Sequence, residues 1–241
     1  AMNFVSTLNL IFPAACCGLS FPRSPSPRTR AAGILLATCF SSTPAGAHAR
    51  EGGGAIWYRD GDYDHFTITG SLFQGNTCPD NGGALWINNR ANIDISTTEF
   101  SSNRADSGGA IAINDSSTEI RLLTDNFFSN VAHKVGGALY VAPGTDVDTL
   151  ANCIFSGNIA EGSTVLAAID NGLGGGIYLH SEAYDEDILN CDFISNDAIW
   201  GGGIELDTFR VPFRIVGCRF VGNGADRGDA GVGCGGGIFI N

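Results

Sequence analysis

The stretch GGAIAINDSSTEIRLLTDNFFSNVAHKVGGAL, residues 108–139, begins and ends on Gly-Gly-Ala followed by an aliphatic residue and carries Phe127-Phe-Ser-Asn130 between the two. Both signatures recur along the chain. Gly-Gly-[Ala/Gly]-[Ile/Leu] starts at Gly53, Gly82, Gly108, Gly136, Gly174, Gly201 and Gly235. Phe-x-x-Asn falls between successive copies as Phe73/Asn76, Phe100/Asn103, Phe127/Asn130, Phe155/Asn158, Phe193/Asn196 and Phe220/Asn223. The arc from a glycine pair to the next Phe holds at 18 to 20 residues, whereas the arc from Asn to the next glycine pair varies from 5 to 16. A period of about 27 residues with its insertions gathered at one turn is the mark of a repeat architecture.

Aligning the copies gives columns. Ile56, Leu85, Ile111, Leu139, Ile177, Ile204 and Ile238 stand three residues after the first glycine, and Tyr58, Ile87, Ile113, Val141, Leu179, Leu206 and Ile240 two further on. Alternation of this kind predicts short strands with one buried face. A third aliphatic column, Ile68, Ile95, Leu122, Leu150, Ile188 and Ile215, lies five residues before each Phe. Between it and the Phe come turn-formers, Gly70, Thr97, Thr124, Asn152, Asn190 and Gly217. Each repeat therefore supplies about three short strands and no helix. One repeat cannot bury its apolar side alone, but like stacked on like can, which predicts an all-β, single-stranded parallel β-helix (a solenoid) of about six to seven coils. Phe then stacks inside, and Asn at the following bend forms a ladder of amide hydrogen bonds. These Phe and Asn residues are read as structural.

Composition agrees. Glycine supplies 34 of 241 residues and charged residues only 16%, a turn-rich balance that still leaves 44% hydrophobic residues for a core. All 25 Asp and Glu lie after residue 49, and the net charge is −12, so nucleic acid is not an expected partner. Residues 1–49 are read as a leader. Arg23, Arg28 and Arg30 precede the apolar run 31–40, and Ala47-His-Ala49 then offers a cleavage site, the order of a secretory signal peptide. Residues 50–241 form the β-helix domain. The run Gly235-Gly-Gly-Ile-Phe-Ile-Asn241 opens a seventh coil, so the chain is read as C-terminally incomplete, a fragment of a longer protein. No run reaches the length and apolarity of a transmembrane segment. The location expected is secreted, extracellular or on the outer cell surface.

Gly-Gly-Ala-[Ile/Leu] alternating with Phe-x-x-Asn resembles the repeat of the chlamydial polymorphic outer-membrane proteins, and more broadly of bacterial right-handed β-helix surface proteins of the pectin-lyase-like superfold. The resemblance covers nearly all of residues 52–241. It implies a right-handed coil and an exported, displayed protein that often serves in adhesion, with a surface glycan or a host or neighbour-cell protein as partner. Several copies here read Gly-Gly-Gly-Ile instead, and pectate-lyase-like enzymes share the superfold, so fold alone does not assign activity.

Cys153, Cys191 and Cys218 each lie two residues before a column Phe and are read as a buried thiol stack, with Cys78 and Cys234 far apart. His65, His133 and His180 fall in different columns, which speaks against a shared site. Between the two aliphatic columns that follow each glycine pair stand Trp57, Trp86, Ala112, Tyr140, Tyr178, Glu205 and Phe239, where alternation predicts exposure. Trp57, Trp86, Tyr140 and Tyr178 are therefore the candidate ligand-binding residues, rings suited to sugar faces or to a partner's apolar surface. Asp60, Asp62 and Asp64 are the candidate metal ligands, for Ca²⁺, and no other cofactor is expected. Asp94/Arg121 and Asp187/Arg214 are read as ion pairs between coils, and the long turns 159–173 and 224–234 as a further place for binding. The reading favours a non-enzymatic surface or extracellular protein of adhesion or recognition. Its alternative is a polysaccharide lyase or glycoside hydrolase of the pectate-lyase-like class, although no residue is nominated as catalytic.

Overall fold

The computed structural model describes residues 54–58, 64–88, 91–114, 119–162, 172–180, 187–207, 213–225 and 233–241, with short strands at 6–7, 19–20, 33–36 and 39–41. It is a right-handed parallel β-solenoid. Five successive coils each give one strand to each of four parallel sheets. In the coil that carries the quoted stretch these are Glu119–Leu123, Asn126–Phe128, Val131–Val135 and Leu139–Val141, which define the first to fourth sheets. The coil before these five, Asp64–Thr69, Leu72–Gln74 and Leu85–Ile87, makes isolated bridges Thr77↔Arg104 and Asn81↔Ser107 in place of a third strand. Six to seven coils were expected from the glycine pairs, and five are complete. Three strands per coil were expected and there are four, because the residues after each Asn pair with their equivalents one coil away, as Arg104↔Val131 and Val131↔Ile159 do. Upstream, Gly33–Leu36 pairs with Asp64–Thr69 and Cys39–Ser41 with Leu72–Gln74, so part of the segment read as a leader lies in register with the sheets.

Corners set the strand length. The turn-formers between the first and second sheets adopt positive φ, 53° at Thr97 and 63° at Thr124 among them, in the left-handed region that Gly or a short polar side chain enters most cheaply. A second left-handed corner follows each Phe, as at Ser102 and Ser129. The two glycines of each pair are required for different reasons. Gly108 has φ of 62°, whereas Gly109 lies so close to the next coil that an added Cβ would stand 2.1 Å from the carbonyl oxygen of Gly137.

The stacked columns make the core. Phe73, Phe100, Phe127, Phe155, Phe193 and Phe220 form one file of near-parallel rings with centroids 4.5 to 5.0 Å apart. That is the spacing of hydrogen-bonded strands. Beside it runs the Asn ladder. Asn103 Nδ2 donates to Asn130 Oδ1 at 2.9 Å and to the Phe73 carbonyl at 3.0 Å, while its Oδ1 accepts from the backbone and side-chain N–H of Asn76. All four bonding positions of a fully buried amide are thus met. The same pattern continues upward through every later coil. Asn130 Nδ2 donates to Asn158 Oδ1 at 2.9 Å, Asn158 Nδ2 to Asn196 Oδ1 at 2.9 Å, and Asn196 Nδ2 to Asn223 Oδ1 at 3.0 Å. Asn158 and Asn196 are fully buried like the rungs before them, whereas Asn223 is half-buried and its Nδ2 donates to the Phe193 carbonyl at 2.9 Å. The 38-residue step from Asn158 to Asn196 leaves the ladder unbroken.

A second polar file occupies the position two residues before Phe. The backbone N–H of Thr98 donates to Asp125 Oδ1, that of Asp125 to Cys153 Sγ, and those of Cys153 and Cys191 to the sulfurs of Cys191 and Cys218. The five described cysteines are free thiols, so the thiol stack holds.

Candidate functional site

The outward column of the fourth sheet is in register throughout, from Trp57↔Trp86 through Ala112↔Trp86 and Tyr140↔Tyr178 to Glu205↔Phe239. Trp57 and Trp86 stack with centroids 5.6 Å apart and planes at 12°, and Tyr140 and Tyr178 at 5.8 Å and 13°. The ladder is less exposed than alternation predicts. Trp57 and Tyr140 are half-buried, while Trp86 and Tyr178 are each only 6% exposed. Rings repeated at strand spacing cover one another's faces, and a neighbouring column packs against the tyrosine pair. That column is the residue just before each glycine pair. Val135, Leu173 and Tyr178 form a small apolar cluster outside the core, with Tyr140 and Trp200 packed against it.

Ala112 and Glu205 interrupt the rings. At Glu205 the interruption opens a cavity of about 420 Å³ lined by Leu173, Trp200, Tyr178, Glu205, Phe239, His180, Asp207 and Asn241. These residues form a grid that follows from the repeat. Leu173 and Trp200 precede glycine pairs and bridge one another, Tyr178, Glu205 and Phe239 lie four residues into the pairs' repeats, and His180, Asp207 and Asn241 two residues further. A volume of this size suits a small ligand or one side chain of a larger one.

The chemistry of the cavity is acidic. Glu205 is 2% exposed, and its Oε2 has no hydrogen-bond partner among the described residues. Burial, with the Asp207 charge as the smaller cause, pushes its carboxyl up to about 8. Asp207 accepts a 3.1 Å hydrogen bond from the Tyr178 hydroxyl and has His180 Nε2 at 3.6 Å. Burial beside Asp207 and Glu205 raises the Tyr178 phenol well above its ordinary value, so it stays a donor. His180 Nδ1, on the other side of the imidazole, has no partner among the described residues. Trp200 and Phe239 meet at 5.1 Å and 47°, forming an angled wall.

Of the candidates named from sequence, Tyr178 lines this cavity and Tyr140 stacks behind it, while Trp57 and Trp86 form a separate pair nearer the N-terminus. The residues read as a structural ladder take no part in the cavity lining: Asn158, Asn196 and Asn223 spend their amides on one another and on backbone, as Asn76, Asn103 and Asn130 do. Asp60 and Asp62 lie outside the described residues, as does the Asp64 side chain. Among the described residues no three His, Cys, Asp or Glu side chains converge as metal ligands, and no helix is long and apolar enough to cross a membrane. The ion pairs between coils are present: Arg121 Nε lies 3.3 Å from Asp94, which also meets His65, and Arg214 grips both Asp187 oxygens through Nε and Nη2. Most of the turn 159–173, and residues 226–232 of the other long turn, fall outside the described residues. Trp200, Asp207 and His180 were not singled out from sequence as a group. The signal that finds them is their fixed offset from Gly174 and Gly201.

Comparison with known proteins fits this geometry. The family model described as right handed beta helix region matches residues 32–241. The chain is also similar to probable outer membrane protein pmp6 of Chlamydia pneumoniae, 33% identical over 145 residues that cover 54% of this chain and 11% of that protein. It thus spans about a tenth of the length of that relative. No solved structure matches.

Proposed function

We propose, from the premise that the chain belongs to the right-handed beta-helix family, that it is a non-enzymatic cell-surface protein whose fourth-sheet face recognises a partner in adhesion. Similarity to a protein named as an outer membrane protein supports the location. The observation that carries the recognition role is the cavity at Glu205, where rings and unsatisfied polar atoms meet on one outward face. A rigid stack of coils holds these groups at fixed strand spacing, so the face is preorganised and ordering it on binding costs little.

The test is binding of the full chain to glycan arrays and to cells, comparing wild type with Trp200→Ala/Phe239→Ala and with Trp57→Ala/Trp86→Ala. A fall of roughly tenfold or more in the first variant is expected if rings in the cavity anchor the partner. A like fall in the second would extend the face along both stacked pairs. Undiminished binding by both would remove the fourth sheet from the reading. A second reading, glycosidic-bond cleavage, is favoured by one observation: two carboxyl groups, Glu205 and Asp207, line the same cavity, and burial pushes that of Glu205 up to about 8. Release of reducing ends in the same wells, lost in Glu205→Gln, would establish it.

A further inference from the structure

The charge balance of the Glu205 cavity favours a cation. Its lining contains two carboxylates and neither Lys nor Arg, in a chain of net charge −12. Glu205 sits where the outward column otherwise carries rings, between Tyr178 on one coil and Phe239 on the next, with Trp200 alongside. Its Oε2 has no hydrogen-bond partner among the described residues, and Asp207 lines the same space. Once Glu205 gives up its proton, the two carboxylates offer acceptors for the N–H donors of one ammonium group. The rings of Trp200 and Phe239 in the lining can attract a cation, while Leu173 and the same rings give a methylene stem an apolar wall. A quaternary ammonium has no N–H to give, and a neutral alcohol brings no charge to offset the carboxylates.

We propose that the cavity binds a primary ammonium on an apolar stem, a lysine side chain of a partner protein, with the ammonium between Glu205 and Asp207 and the stem against Trp200. The inference rests on the fourth-sheet face being the recognition surface. It also makes a proton inventory. The titratable groups that face Glu205 are Asp207, Tyr178 and His180, with Tyr140 behind Tyr178. Because burial holds Glu205 protonated at neutral pH, seating a cation beside it expels that proton.

Calorimetry of the full chain with Nα-acetyl-lysine amide, in buffers of different ionisation enthalpy, reads both affinity and proton release. Expected is release approaching about one proton per ligand near pH 6.5, vanishing above about pH 9, where Glu205 is already ionised. Glu205→Gln, an isostere with no proton to lose, should abolish the release and weaken binding roughly tenfold, and Trp200→Ala should weaken it severalfold with proton release retained. A melting curve for each variant confirms folding. The ammonium chemistry is overturned if wild type does not bind the lysine probe, if the neutral Nα-acetyl-norleucine amide binds as tightly, or if Glu205→Gln binds undiminished. Tighter binding of glucosamine would overturn the apolar stem. Cell binding lost in Trp200→Ala/Phe239→Ala, with no affinity for the lysine probe, would sink this inference and leave the recognition face standing.

Discussion

A Cβ on Gly109 would lie 2.1 Å from the Gly137 carbonyl oxygen and 2.7 Å from the backbone of Val131, with no flexible side chain among the three nearest atoms to yield. Gly109→Ala is therefore expected to cost about 3 kcal/mol or more, read as a fall in urea midpoint, because two coils must separate to admit one methyl group. Such positions were legible in the sequence, since steric need repeats one residue type in every coil. The Asn rungs were legible for a like reason, because only an amide can both give and take at each step from Asn76 to Asn223. Asp125 was not, because its file changes chemistry from Ser71 and Thr98 through the carboxylate to Cys153, Cys191 and Cys218, and no identity recurs along its whole length. Burial drives the Asp125 carboxyl from 3.8 to about 7 even though the Thr98 and Leu123 N–H groups donate to it. Its folded value thus exceeds its unfolded one, so its contribution to stability is fully present below about pH 4 and is lost as pH rises through 7. Glu205, raised from 4.5 to about 8, acts in the same sense. Asp187 and Asp192, held down by Arg214 and Arg219, act oppositely and matter only in acid. The solenoid should resist urea better at pH 5 than at pH 9. Asp125→Asn should flatten that slope while lowering stability at pH 5, since its amide N–H₂ would meet the Leu123 N–H; a slope unchanged from wild type would refute the assignment to this carboxyl.

Among the elements, the second-sheet strands show what stacking adds to burial. Phe127 is fully buried, with ring centroids 5.0 Å from Phe100 and 4.5 Å from Phe155, so a truncation there opens the file to both sides. Phe127→Ala should cost about 3–5 kcal/mol, whereas Phe127→Leu, which retains most of the apolar volume, should cost less than half as much in the same denaturation assay. The fourth-sheet strands have the same spacing on the opposite, outward face, and there the sequence told only part of the story. Alternation correctly placed Trp57, Trp86, Tyr140 and Tyr178 outward, yet it treats each strand as if its neighbours had no width. Rings 5.6 to 5.8 Å apart shield each other, and the column of Val135, Leu173 and Trp200 closes the flank of the tyrosine pair. That flanking column reads Asn81, Ser107, Val135, Leu173, Trp200, Cys234 along the chain, residues with nothing in common but their offset. The cavity went unseen for this reason: it is a property of three columns taken together, and only one of them is chemically uniform enough to notice.

For the whole molecule, the consequence of stacking is that stability is close to a sum over coils and their nearest-neighbour contacts. Phe100 pairs with Phe127 and Asn103 with Asn130 at a separation of 27 residues, and Arg104 stands opposite Val131. Deleting residues 104–130 therefore joins Asn103 to Val131 and puts every later residue into a column it already occupies. The shortened chain should fold cooperatively, with the sheets intact by circular dichroism and a urea m-value lower by roughly the share of surface that one coil buries. Deleting residues 104–131, one residue more, sets Ala132 opposite the column of Arg104. Because side chains alternate with a period of two, the strand that follows would turn its buried residues outward unless a corner absorbs the slip. That variant should lose several kcal/mol or fail to fold, a difference between two deletions of nearly equal length that composition and core size cannot produce. Equal stability of the two would mean that the corners, with their left-handed Ser102 and Ser129, take up a residue freely and that the repeat length is not what holds the coils in register.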